Sequence, residues 1–353
     1  MTDSTAHLNY PHSAHEMLSH IRKYGPQLLG RLQSGTGHHF DLVWTAHPRW
    51  PLPPGDNLHP RTVARISVLD SSFNPPTLAH LALLNTKRPS YACEASEGPG
   101  RDYDAKLLLL SVKNADKTLK PNDATYLQRL EMMALLAQDV ATCQNLEDGR
   151  GNVAVGIIDE PTFIGKSRIL KEYFDIRVSS LQQPPPNLLS TDSNGPGDVA
   201  VSPKSQLTFL VGMDTLKRIL SPKYYSPPPD LPDLTPEQTM SGALSRMLSE
   251  SPKGDDSLIV CARRSTLPSD TTSQQSKGES DLQQALEPAY RMGWLKLDGD
   301  ESTETSKETS LTSYDERWEV LDYERITLID IGDRESQFSS TAIRNALGRT
   351  AGN

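Results

Sequence analysis

Cysteine is scarce in this chain, with three in 353 residues: Cys93, Cys143 and Cys261. They stand far apart and form no metal or redox spacing. An odd, sparse count suits a reducing compartment rather than a disulfide scaffold. There is no run of about 18 apolar residues, the length that a membrane-spanning helix needs. The opening Met1-Thr2-Asp3-Ser4 lacks a charged stretch followed by an apolar one, so no secretory signal is expected. Aromatics are few at 6%, hydrophobic residues make up 36%, and prolines number 27. That composition is too lean for the whole length to be core; about 200–250 residues would make one α/β domain with insertions. Positive charge is lacking as well. A net charge of −9 argues against a generic nucleic-acid binder, although it leaves room for a local cationic pocket. The expectation is a soluble protein of the cytoplasm, with the nucleus also open, acting on neither nucleic acid nor membrane.

What is present is an alternation of short apolar runs and helical patterns. Ile66–Leu69, Leu107–Val112, Val153–Ile158, Leu207–Val211, Leu258–Cys261 and Ile326–Ile331 read as strands. Thr125–Ala137, Gly165–Phe174, Asp214–Leu220 and Ser340–Leu347 read as helices between or after them. Continuous apolar strands separated by helices imply a parallel sheet covered on both faces. The predicted architecture is therefore α/β: a Rossmann-like, doubly wound parallel sheet with helices on both faces and long low-complexity insertions. Its ligands should lie beyond the carboxyl ends of the strands.

Residues 1–62 form a partly helical N-terminal extension, and 63–353 the α/β domain. Helical spacing over Ala14–Leu32 should be broken at Gly25-Pro26. Trp44, Trp50 and the nearby prolines read as an irregular segment packed on the main domain. His7, His12, His15 and His20 read as part of a solvated leader rather than a metal cluster. Flexible insertions are expected near 88–103, 182–204, 226–256 and 265–315, where Ser, Pro, Gly and acidic residues cannot bury enough apolar area to offset ordering entropy. A helix near Leu282–Trp294 interrupts the last of these.

Two stretches carry candidate chemistry. After the strand Ile66–Leu69 comes Ser71-Ser72-Phe73-Asn74-Pro75-Pro76-Thr77-Leu78-Ala79-His80, a strand, a stiff loop and a helix start. Unpaired N–H groups and the helix dipole make such a place suited to phosphate. Thr77 and His80 are three residues apart and share a helical face. Both could donate to one anion, meeting charge that grows during phosphoryl transfer. The competing reading is a proline-rich turn with a core histidine. Near the C-terminus, Phe338-Ser339-Ser340-Thr341-Ala342-Ile343-Arg344 opens the last helix. The hydroxyls of Ser340 and Thr341, the first-turn N–H groups and Arg344 could hold another part of the same anion. The alternative there is an ordinary helix cap.

Together these stretches resemble a known family. Ser72-Phe73-Asn74-Pro75-Pro76-Thr77-Leu78-Ala79-His80 is similar to the (H/T)xxH nucleotidylyltransferase signature, and Ser339-Ser340-Thr341-Ala342-Ile343-Arg344 to the I-S-S-T-x-I-R signature. The family resembled is nicotinamide/nicotinate mononucleotide adenylyltransferase, in a divergent fungal-type branch. The resemblance spans roughly Ile66 to Leu347 and makes 63–353 a nucleotidylyltransferase-like domain. It implies that Ser71, Ser72, Phe73, His80, Gly212, Asp214, Arg264, Ser340, Thr341 and Arg344 bind ATP. It implies that Lys120, Arg129 and Tyr225 meet the mononucleotide, with Lys113 and Lys117 as alternatives to Lys120. Catalysis would fall to His80, Thr77 and Arg344. Ser71 and Ala79 stand where the family has glycine, Gln128 where it has histidine, and Tyr225 where it has tryptophan.

The implied reaction joins ATP to nicotinamide or nicotinate mononucleotide, giving the dinucleotide NAD or its acid form and pyrophosphate. Mg²⁺ would enter with ATP, and no protein metal site is implied. Two alternatives stand beside it. One is transfer to another phosphorylated acceptor. The other is a nucleotide-binding, ATPase-like adaptor of the same fold with reduced transfer, using its insertions as partner surfaces. Ser71 in place of glycine is the best support for the adaptor.

Overall fold

The structure is a computed structural model. It describes residues 13–35, 37–53, 62–89, 102–113, 123–142, 151–182, 203–263, 283–295 and 324–332, with single positions at 335, 340, 343 and 344. The chain divides into two compact units, one made of Met1–Leu210 with Arg334–Asn353 and the other of Val211–Asp333. The fold is α/β with mostly parallel strand pairing, as the alternation of elements predicts.

The first unit opens with α1 (Ala14–Gln33) and the strand β1 (Phe40–Thr45). There follow β2 (Val63–Asp70), α2 (Leu78–Leu84), β3 (Ala105–Ser111), α3 (Tyr126–Thr142), β4 (Val153–Ile158), α4 (Phe163–Gln182) and most of β5 (Lys204–Gly212). Its strands lie in the order β1-β4-β3-β2-β5. β2 pairs in parallel with both β3 and β5, and β3 with β4. Leu107, Leu108, Leu109, Val153, Ala154 and Val155 are fully buried, as strands covered on both faces must be. The chain runs outward from β2 through β3 to β4, and β5 returns to the other side of β2. The strand order thus reverses at β2, and a doubly wound sheet places its ligands beyond the carboxyl end of such a strand.

Two expectations about the leader are corrected. The first is that Gly25-Pro26 breaks the helix. α1 runs through Pro26 and starts with a capping box in which Ser13 and Glu16 satisfy each other's backbone N–H groups. An interior proline costs about 3 kcal/mol. Burial of Met17, Ile21, Leu29 and Leu32 along one face offsets it. Gly25 faces α3 so closely that a Cβ there would lie 2.9 Å from Leu127 Cδ1. The glycine that weakens the isolated helix is what lets it pack. The second correction concerns Trp44, which lies in a strand. β1 pairs antiparallel with β4, with a register shift between Leu42 and Trp44. The sheet edge is therefore antiparallel, not parallel.

The second unit contains α5 (Met213–Ile219), α6 (Pro236–Leu248), β6 (Leu258–Arg263) and β7 (Ile326–Asp330), with a short 3-10 turn at Pro222–Tyr224 and a helix over 283–291. β6 and β7 pair in parallel. The stretch 226–256, expected to be a flexible insertion, carries α6. Thr235 caps that helix in a box with Gln238, Pro236 fills its first turn, and Met240, Leu244, Met247 and Leu248 are buried. The proline cluster hid a helix start that the Thr-Pro-Glu-Gln signal marks. The remainder of the other three insertions lies largely outside the described residues. Among the described residues no helix is long and apolar enough to cross a membrane.

The contact of Gly25 with α3 predicts a contrast. Gly25→Val should destabilise the protein by about 1–3 kcal/mol through overpacking. Gly30→Ala, where nothing lies within 4 Å, should be neutral or raise stability by up to about 1 kcal/mol. Urea unfolding of the two variants beside the wild type measures both.

Candidate active site

The carboxyl end of β2 leads directly into the loop of interest. Ser71 N–H donates to the Leu109 carbonyl at 3.3 Å, carrying the β2–β3 pairing one residue past the strand. Phe73 then turns back with φ at +44°, in the left-handed region that costs a non-glycine residue about 1–3 kcal/mol. Its ring is fully buried and lies 5.3 Å from the His80 ring, centroid to centroid.

Asn74 is held on three sides. Its side-chain amide donates to Asp123 Oδ1 at 2.8 Å, its side-chain carbonyl accepts from Ala124 N–H at 3.3 Å, and its backbone carbonyl accepts from Arg344 Nη1. The next carbonyl, that of Pro75, accepts from the Ser340 hydroxyl at 2.7 Å. Arg129, nearly buried on α3, donates to the carbonyls of Ala124 at 2.9 Å and Ser72 at 3.4 Å. The two motifs that the sequence pairs from opposite ends of the chain are therefore bonded to each other. Their guanidinium and hydroxyl groups donate to carbonyls of the loop itself.

The Arg129 guanidinium is pushed below its ordinary value. Burial is the main cause, and the positive charge of Arg344 adds to it while Asp123 opposes it. Two guanidiniums that repel each other across one loop favour an anion beside them.

His80 sits in the first turn of α2, whose N-cap is Thr77. The Thr77 N–H donates to His80 Nδ1 at 2.9 Å, and the Thr77 hydroxyl lies 2.8 Å from the same nitrogen. A backbone N–H can only donate, so Nδ1 accepts and carries no proton. The proton is on Nε2, which donates to Ser71 Oγ at 2.8 Å. Burial lowers the imidazole to about 4 from 6.5, so the ring is neutral at physiological pH. The spacing of Thr77 and His80 brings them together as expected, but with a different result. Thr77 turns onto His80 and orients it, rather than standing beside it as a second donor.

Other groups meet at this edge, and of them only Lys113 is among the sequence candidates, as an alternative to Lys120. Asp70, the last residue of β2, pairs with Lys166 of α4 and accepts from the Ser111 hydroxyl at 3.1 Å. Asp159, just past β4, accepts from Lys113 Nζ at 3.0 Å and binds His39 Nδ1 at 2.8 Å. Burial pushes the Asp159 carboxyl up, but those two hydrogen bonds outweigh it and hold the group below its ordinary value. His39 reaches this edge because β1 runs antiparallel, which the sequence reading did not foresee. Asp123 carried one legible signal: it stands two residues before Thr125, which with Gln128 forms a reciprocal cap at the head of α3. Gln128, which stands where the resembled family has histidine, is occupied in that cap.

Of the remaining expected residues, one lies in the same loop and others belong to the second unit. Ser72 is exposed in the loop. Gly212 caps α5 and Asp214 lies in its first turn, in the second unit. Asp214 raises the buried Cys261 thiol, which burial above all pushes up to about 12. Tyr225, also in that unit, gives its hydroxyl to the Ile219 carbonyl at 2.7 Å, and burial pushes its phenol up. Lys120, Lys117, Arg264 and Thr341 lie outside the described residues. Among the described residues no group of three or more His, Cys, Asp or Glu could hold a metal ion.

No family model matches the chain. It is 32% identical over 161 residues to a Schizosaccharomyces pombe protein named "Putative nicotinamide mononucleotide adenylyltransferase". The aligned part is 45% of this chain and 44% of that protein, so the chain spans less than half the length of the curated relative it matches. The relative carries the family name to which the two motifs point.

The buried neutral imidazole predicts a pH dependence. Its stability contribution is fully present above 6.5, the value of a free imidazole, and is lost as pH falls toward about 4, because over that window the unfolded chain binds a proton that the folded chain does not. Thermal unfolding of wild type and His80→Gln from pH 7.5 to 4 should show the wild type losing more of its melting temperature than the variant. Parallel curves would contradict a neutral, buried His80.

Proposed function

We propose that the chain is an adenylyltransferase of NAD biosynthesis that joins ATP to nicotinamide or nicotinate mononucleotide and releases pyrophosphate. The observation that carries this reading is the bonding of Ser340 and Arg344 to the carbonyls of Pro75 and Asn74. It brings two motifs from distant parts of the sequence to one loop, as service to a shared ligand requires. The name of the relative supports the choice of acceptor.

In this reading the 5′-phosphate of the mononucleotide attacks the α-phosphorus of ATP in line. One P–O bond forms to the acceptor phosphate, and the bond to the bridging oxygen breaks as pyrophosphate leaves. The loop supplies no covalent nucleophile, so rate enhancement comes from positioning and from donors fixed where charge grows. Ser71, Ser72, Phe73 and His80 serve the polyphosphate together with Ser340, Thr341 and Arg344. Gly212, Asp214 and Arg264 contribute to ATP binding. Lys120, Arg129 and Tyr225 serve the mononucleotide. Mg²⁺ would enter with ATP, held chiefly by its phosphate oxygens and by waters, and would neutralise charge there. The insertions are left for protein partners.

The adaptor reading retains one specific observation, the hydroxyl of Ser71 seated on His80 Nε2. The two are separated by incubating the purified protein with Mg·ATP and each mononucleotide while following dinucleotide and pyrophosphate. The expected result is dinucleotide from at least one mononucleotide, with His80→Ala slower on the order of 10²–10³, as for loss of one fixed donor. Binding or hydrolysis of ATP with no dinucleotide from either acceptor would favour the adaptor.

A further inference from the structure

We propose that the hydroxyl of Ser71, rather than the imidazole of His80, touches the phosphate, and that His80 acts through it as a positioning residue. This rests on the nucleotide-phosphate reading of the loop and assigns its roles within it. His80 Nδ1 accepts from the Thr77 N–H, so Nε2 carries the proton and donates it to Ser71 Oγ at 2.8 Å. Both ring nitrogens are thus engaged within the protein. A direct bond from His80 to a ligand would require breaking a well-formed one.

Ser71 Oγ has spent one lone pair on that bond and still owns its O–H. Among the described residues nothing accepts that hydrogen. The group next to it is therefore expected to be a hydrogen-bond acceptor. Arg129 and Arg344, which donate to the Ser72 and Asn74 carbonyls of the same loop, bring positive charge to it, and that charge favours an oxyanion as the acceptor. A hydroxyl that accepts from an N–H is polarised and becomes a better donor. The line Thr77 N–H, His80 Nδ1, His80 Nε2–H, Ser71 Oγ–H then ends on a phosphate oxygen, with every hydrogen remaining on its own atom. No proton is transferred and no bond to hydrogen breaks. Glycine at position 71 would leave the imidazole facing the anion directly, so serine here moves the point of contact outward by one hydrogen bond.

The test uses the full chain with Ser71→Ala, Ser71→Gly and Ser71→Thr, measuring kcat and KM for dinucleotide formation and, separately, Kd for Mg·ATP by calorimetry. The relay predicts that Ser71→Ala and Ser71→Gly lower kcat on the order of 10²–10³, at least as much as His80→Ala, and weaken Mg·ATP by about 10-fold. Ser71→Thr, which keeps the hydroxyl, should stay within a few-fold of wild type, which a packing defect at this position would not allow. The double variant Ser71→Ala/His80→Ala should be no slower than the worse single, because the two act as one unit. If Ser71→Ala or Ser71→Gly equals or exceeds the wild type in kcat and affinity, Ser71 blocks His80 instead of extending it, and the proposal is overturned. If the wild type binds Mg·ATP but makes no dinucleotide, the transfer reading fails while the affinities still decide for or against the relay. A wild type that does not bind Mg·ATP overturns both.

Discussion

Two loop carbonyls, those of Asn74 and Pro75, hold the candidate site together. Neither belongs to a strand ladder, and a buried carbonyl without a donor is costly. The donors come from Arg344 and Ser340, far along the chain. On the other side Asp123, Ala124 and Arg129 fix Asn74 and Ser72. The left-handed φ of Phe73 persists because these contacts over-determine the turn. With the loop so fixed, His80 has one orientation, and its tautomer follows from the Thr77 N–H alone.

The fold beyond the site serves this arrangement. β2 is the strand at which the order reverses, and its neighbours on both sides run parallel to it. Their carboxyl ends bring Ser71, Ser111, Lys113 and Asp159 to a single edge. β1 adds His39 to that edge by running the other way. The leader is thus a structural part of the first unit: α1 packs on α3 through Gly25, and α3 carries Arg129 toward the loop.

Much of this was legible in the sequence. The apolar runs at Leu107–Leu110 and Val153–Ile158 read as buried strands because both faces are covered, and they are. The Thr77–His80 pair could be read from its spacing, and so could the link between the loop and Ser340–Arg344, through the two motifs. What was not legible depends on tertiary contact. Pro26 should end a helix on local grounds, and only the packing of α1 against its neighbours overrides that. The residues around Trp44 gave no periodicity from which β1 could be recognised. α6 was hidden by the nearby prolines, although the Thr235 cap marks its start. In the site, the same pattern that identified Ser71 as a departure could not reveal its contact with His80, since that needs the loop to double back. His39, Lys166 and Asp123 likewise acquire roles only through partners distant in sequence.

The account's central claim is that the loop from Ser71 to His80 receives the phosphates of a nucleotide. Hydrogen exchange with and without Mg·ATP tests it most directly, because it reports where the ligand lands without requiring turnover. The account predicts that Mg·ATP slows exchange in peptides covering 71–84 and in those covering the Ser340–Arg344 segment, and that inorganic phosphate at high concentration does so more weakly. Protection confined to other parts of the chain, with both of these segments unchanged, would contradict it.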